Sequence, residues 1–179
     1  MIGPKMHITA PYLEGAGAFT PVMHQLTGPD DARRMVNFWA DQGATSFKAY
    51  MNITRDELRA AVEEAHKRGL KVTGHLCSIG YREAAEIGID NLEHGLLVDS
   101  EFVSGKQADK CPGAAVSASL LKLDLNSEPV KETIRTLVAK NVALTSTLPV
   151  FEAGAPLTQS GIGAASAVLN PRMLSVMNT

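Results

Sequence analysis

The chain has 179 residues, 45% of them apolar and 20% charged, with a formal net charge of -2. That is enough material for one domain with a real core, and the charge gives no electrostatic reason to expect nucleic acid or an anionic membrane surface as a partner. No apolar run reaches the length of a membrane helix, and Met1–Lys5 has no apolar signal-peptide core.

Taken in chain order, Lys5–Tyr12 reads as a first strand. From Pro29 a rhythm sets in: a helix pattern ends at glycine, a short apolar strand follows, and a polar residue closes it. Val36, Trp39 and Ala40 give the first helix its apolar stripe, Gly43 ends it, and Ala44–Tyr50 is a strand. Thr54 and Glu57 form a capping box. Leu58, Ala61, Val62 and Ala65 then make one buried helical face, His66, Lys67 and Arg68 fill the last turn, Gly69 stops the helix, and Leu70–His75 is the next strand. Tyr81, Ala84 and Ala85 line a shorter helix ending at Gly88, before a strand Ile89–His94. A fourth helix is capped by Ser127, carries Val130, Ile134, Leu137 and Val138, and ends at Asn141; Val142–Leu148 is its strand. The long stretch Leu96–Asn126 follows a strand and so belongs on the carboxyl side of the sheet, where barrel enzymes keep their chemistry. Pro149–Thr179 reads as a loop followed by a helix.

Alternating strands and helices predict an α/β fold with a parallel sheet and outer helices. Five strands suit either an open doubly wound sheet or part of a barrel, which needs eight. Cys77 and Cys111 follow no zinc or redox spacing, so a disulfide framework is not expected and a reducing, cytoplasmic compartment is favoured.

Three strands end on Lys48, His75 and His94, at five, six and six residues beyond the preceding glycine. With neighbouring parallel strands about 4.8 Å apart, that count sets the three side chains at nearly one height, able to converge on a single ion. A lone strand-end histidine is more often a surface or hydrogen-bonded residue than a ligand, and a lone lysine is more often solvated. The shared register is what favours a site. Imidazole is a common zinc ligand. Lysine becomes one only when CO2 adds to its neutral amine and leaves an anionic carbamate, a change that burial promotes.

Ser46-Phe47-Lys48-Ala49-Tyr50, Val72-Thr73-Gly74-His75 and Asn91-Leu92-Glu93-His94-Gly95 resemble the strand 4, 5 and 6 signatures of the amidohydrolase superfamily. Within it the likeness is nearest to the imidazolonepropionase-like and Xaa-Pro or Xaa-Arg dipeptidase branch. It is strong over residues 29–95, looser over 5–17 (strand 3) and over 141–152 (strand 7). The resemblance implies a partial TIM (β/α)8 barrel, about strands 3 to 7, within one incomplete domain over residues 1–179. It implies that Lys48 is carboxylated and bridges two divalent metals, usually zinc, that His75 and His94 bind the second metal, and that Tyr50 reaches the substrate. The implied reaction is hydrolysis of an amide or other C–N bond in a small molecule by metal-bound hydroxide.

The chain lacks the family's His-x-His pair of strand 1 and offers no strand after Leu148 for its strand 8 aspartate. An internal fragment of a chain more than twice as long is therefore expected, with little turnover of its own and exposed barrel edges that favour self-association. Glu93 should point to the opposite face from His94 by strand alternation, as a structural residue. His7 and His24 match no ligand position, His66 suits a helix end, Cys77 is either at the pocket mouth or simply a small side chain, and Gly15-Ala16-Gly17 is too short for a phosphate loop. Two rival readings are a Schiff-base lysine at Lys48 and a truncated barrel serving as a non-catalytic binding module. The substrate is not legible; its determinants would sit in Leu96–Asn126 and in the loop after Leu148.

Overall fold

The computed structural model describes residues 3–149. The chain divides into two compact units, residues 1–146 and 147–179; the second falls almost wholly outside the described residues, as do the expected tail helix and the end of the strand 7 resemblance.

Unit one is an α/β fold built on a four-stranded parallel sheet in the order β1 (Ser46–Ala49), β2 (Lys71–Gly74), β3 (Asn91–Glu93), β4 (Ala143–Thr145). The helices are α1 (Pro29–Asp41), α2 (Arg55–Lys67), α3 (Tyr81–Ile87), α4 (Ala115–Leu120) and α5 (Glu128–Ala139). α1 lies against α2, and α3 against α5. This is the arrangement of a partial barrel. Among the described residues no helix is long and apolar enough to cross a membrane.

Local chemistry sets the elements. Proline opens α1, where its missing N–H costs nothing. Thr54 and Glu57 close the predicted capping box on α2. The stops Gly43, Gly69, Gly88 and Asn141 all have left-handed backbone, φ 94, 69, 104 and 56°. Ser127 occupies the cap position of α5, but its side chain makes no capping bond.

Four expectations need correction. The first strand is not continuous: residues 8–13 run parallel to β1 but pair only at Thr9 and Leu13, because Pro11 between them has no N–H to donate. The four regular strands are shorter than their apolar runs, since pairing ends where the chain turns. α5 buries Val130, Thr133 and Leu137, while Ile134 and Val138 are exposed. The stretch Leu96–Asn126 also contains α4, an alanine-containing turn of helix that its lack of apolar period concealed.

The core gathers the alternate residues Phe47, Ala49, Val72 and Leu92 from the strands with Val36, Leu58, Ala61, Val62 and Ala85 from the helices. The other face of the sheet is left for polar residues.

Candidate functional site

Lys48, Thr73, Asn91 and Glu93 alternate with the buried strand residues and occupy that polar face. Lys48 is the register partner of Thr73, and Thr73 of Asn91. His75 thus lies beyond the level of Lys48, and His94 beyond Asn91. The expected common height is replaced by a stagger, as in slanted barrel strands; the distance from a helix-ending glycine does not measure ladder register.

The stagger still brings the three side chains together. The imidazoles of His75 and His94 stand edge to face with centroids 4.5 Å apart. Lys48 Nζ is ion-paired with the Glu93 carboxylate, and Glu93 Oε2 lies 3.8 Å from His94 Nε2.

Glu93 therefore faces the site, contrary to the alternation argument. The reason is local: β3 ends at Glu93, and His94 adopts φ 72°, which folds its side chain back to the face that Glu93 already occupies. The Tyr81 hydroxyl holds this turn by donating to the carbonyls of Glu93 and Gly95, both at 2.8 Å, and Gly95 N donates to Thr145 O. Thr73 Oγ1 donates to Glu93 Oε1 at 3.0 Å, Asn91 Nδ2 to Thr73 Oγ1 at 2.7 Å, and Thr145 Oγ1 to Asn91 Oδ1 at 2.9 Å. These partners were missed because hydroxyl and amide residues on short strands look like ordinary edge polarity; their alternation with Phe47, Val72 and Leu92 was the available signal.

Burial, reinforced by the positive charges of His94 and Lys48, holds the His75 imidazole down to about 4, against the opposing pull of Glu93. Burial and Lys48 lower His94 as well. Both shifts favour the neutral imidazole at pH 7. Tyr50 continues the row. Its ring tilts against His75 at 5.0 Å and stacks on Tyr12 at 4.5 Å, with Phe19 on its flank and Lys48 Nζ 5.3 Å above the Tyr12 ring. Burial, then the nearby Tyr12 and Glu14, raises the Tyr50 phenol, so it stays a proton donor. The turn after Tyr50 is pinned by buried Glu14, whose Oε1 accepts from Gly15 N at 2.9 Å and Asn52 N at 2.7 Å. Gly15 is required there: a Cβ would come within 2.0 Å of the Asn52 carbonyl oxygen.

Among the described residues no group of three or more His, Cys, Asp or Glu side chains is arranged to hold a metal ion. What the polar face supplies is two adjacent neutral imidazoles, plus a lysine and a glutamate engaged with each other. Two imidazoles alone are fewer donors than a cation site uses; a third would have to come from Lys48 or Glu93 once their pairing is broken.

Other residues resolve plainly. His24 pairs with Asp31 and His66 with Asp90, both at 2.9 Å, away from the site. Cys77 and Cys111 form a disulfide with Cα atoms 4.7 Å apart, which corrects the expectation of free thiols; a separation of 34 residues leaves no spacing signal. A cavity of about 720 Å³, larger than the one of about 160 Å³ that His75 lines, lies elsewhere, between α2, α3 and the loop after β3. Its arginines are each paired with a carboxylate, Arg55 with Glu83 at 2.7 Å, Arg59 with Asp56 at 3.0 Å and Arg82 with Glu101.

No family model matches the chain, and no curated protein matches it. Solved structures do. One described as a "putative prolidase from Bifidobacterium longum" matches 93% of this chain and 37% of its own length, with a TM-score of 0.51 and 22% identity. A bottromycin amidohydrolase matches 94% of this chain and 40% of its own, with a TM-score of 0.52 and 18% identity. These likenesses are of fold, and the chain spans about two fifths of each structure.

Proposed function

We propose that the chain forms part of a metal-dependent hydrolase of C–N bonds, of the amidohydrolase kind and nearest to its imidazolonepropionase-like and dipeptidase branch. The observation that carries this reading is the packing of His75 against His94, centroids 4.5 Å apart, beside Lys48 on the carboxyl side of a parallel sheet. The fold shared with a prolidase-like structure and an amidohydrolase supports it.

In this reading His75 and His94 would hold a divalent cation, most readily zinc, and Lys48 would join them as a carbamate once released from Glu93: the ammonium would give up its proton, and the amine would add CO2, forming a C–N bond and releasing a second proton. A bound cation of this class makes hydroxide available near neutral pH and polarises a carbonyl. The chain's own residues set the stage. Tyr81 fixes the turn that aims His94, Thr73 and Asn91 steady Glu93, Glu14 holds the turn behind Tyr50, and Tyr50 offers its phenol to the substrate. On this reading the 179 residues alone turn over substrate slowly or not at all.

A second reading, a non-catalytic binding module, draws on the donor set itself: Lys48 is already paired with Glu93, and among the described residues no three His, Cys, Asp or Glu side chains are arranged as the three protein ligands usual for catalytic zinc.

The test is zinc uptake by the purified chain in bicarbonate buffer, read by elemental analysis, alongside hydrolysis of a dipeptide panel. Zinc retained by the chain and lost in His75→Ala and His94→Ala supports the hydrolase lineage. Retention indifferent to both substitutions overturns it.

A further inference from the structure

A second, smaller cavity of about 160 Å³ opens beside the candidate site, with His75 as one of its walls. Its floor comes from the carboxyl ends of two strands, through Met51 after β1 and His75 and Cys77 after β2. Its roof comes from the excursion after β3, through Leu97, Val98 and Gly113, and from Val116 and Ser117 of α4, the serine being the one hydroxyl in the lining. We propose that this cavity is a specificity pocket for a compact apolar group, a phenyl ring or a branched aliphatic chain, carried by the substrate; the word substrate rests on the hydrolase reading above.

Three observations support it. The size is right for one such group: an apolar cavity of about 150 Å³ accepts a benzene molecule. The chemistry is right, since no residue lining the cavity carries a carboxylate, ammonium or guanidinium group. An ionic substituent would be desolvated there without a partner, whereas thioether and aliphatic walls suit apolar contact, the flexible Met51 most of all. The placement is right as well. Because His75 belongs to both cavity and site, a group seated here lies against the imidazole that packs on His94.

The pocket is also built rather than incidental. Cys77 lines the floor, Cys111 leads into the roof, and their disulfide ties one to the other. Walls fixed before binding lose less freedom when a guest enters. At the rim Leu97 is left 47% exposed, an apolar side chain standing open to solvent where an incoming group would cover it.

The experiment uses the 179-residue chain with benzene as the apolar probe and acetamide as the polar control, read by methyl NMR. The expected result is saturable benzene shifts at Met51, Leu97, Val98 and Val116, with none from acetamide. Val116→Trp should fill the space, and Leu97→Glu, at an exposed position that the fold tolerates, should place a charge at its mouth. Each is expected to weaken benzene binding about ten-fold or more, the scale of spoiling one methylene-sized fit in an apolar pocket. Absent or unsaturable shifts, or wild-type binding by a folded Leu97→Glu chain, would overturn the pocket. Zinc uptake measured on the same samples separates the two claims. Benzene binding without zinc uptake keeps the pocket and removes the hydrolase reading; zinc uptake without benzene binding does the reverse.

Discussion

Lys48 and Glu93 meet across a strand that belongs to neither of them: one stands on β1, the other on β3, and their ion pair closes over Thr73 of the intervening β2. Both side chains are only 16% exposed, so removing one partner strands a charge in a poorly solvated place. Glu93→Leu is expected to destabilise the fold by about 3 kcal/mol. Lys48→Met combined with Glu93→Leu should recover most of that loss. Urea unfolding followed by the fluorescence of Trp39 checks both, and a double variant no more stable than the single one refutes the pairing.

Tyr81→Phe removes one hydroxyl and leaves the carbonyls of Glu93 and Gly95 without their donor. A loss of about 1–3 kcal/mol is expected for unsatisfied buried groups. Because these carbonyls flank His94, the imidazole resonances of His94 should shift or broaden while those of His24, paired far off with Asp31, stay in place. Two-dimensional NMR of the folded variant reads this directly.

The disulfide gives a third expectation. Cys111→Ser opens a loop whose ends are 34 residues apart, and the chain-entropy cost is about 4 kcal/mol. Chemical denaturation of the variant should match that of the wild-type chain under reducing agent. A variant as stable as the oxidised wild type would refute the cross-link.

Asp99 supplies a pH signature. Burial pushes its carboxyl up to about 7, against hydrogen bonding from Tyr81 N and the charges of Arg82 and Lys106. The folded chain keeps a proton that the unfolded chain gives up near 3.8. Stability from this group is therefore fully present below 3.8 and is lost as pH rises toward about 7. An amide in its place can still accept from Tyr81 N and Glu101 N, which Asp99 Oδ1 now does at 3.3 and 3.0 Å. Asp99→Asn should thus gain on the wild type steadily between pH 4 and 7. A difference that is flat with pH in thermal unfolding would reject the assignment.

Most of the architecture was readable in the residues because its signals are local. The Thr54 and Glu57 cap, the left-handed stops and the alternation of Phe47 with Lys48 each act within a few positions. Lys48, His75 and His94 could be brought to one region on that basis. What escaped depends on backbone states or on distance. The positive φ of His94 turned Glu93 from a structural bystander into the partner of Lys48. The slant of the strands replaced a common height with a stagger, Pro11 broke the first strand, and the union of Cys77 with Cys111 required knowing how the long excursion returns to β2.

That union closes a covalent ring through the backbone from Cys77 to Cys111, and α3, Glu93 and His94 all ride on it. A protease cutting at exposed Lys110, inside the ring, would sever the main chain yet release nothing. Both pieces stay tethered through sulfur, and the nick becomes visible only when the sample is reduced. The histidine-bearing segment is thereby shielded from the usual consequence of a broken peptide bond.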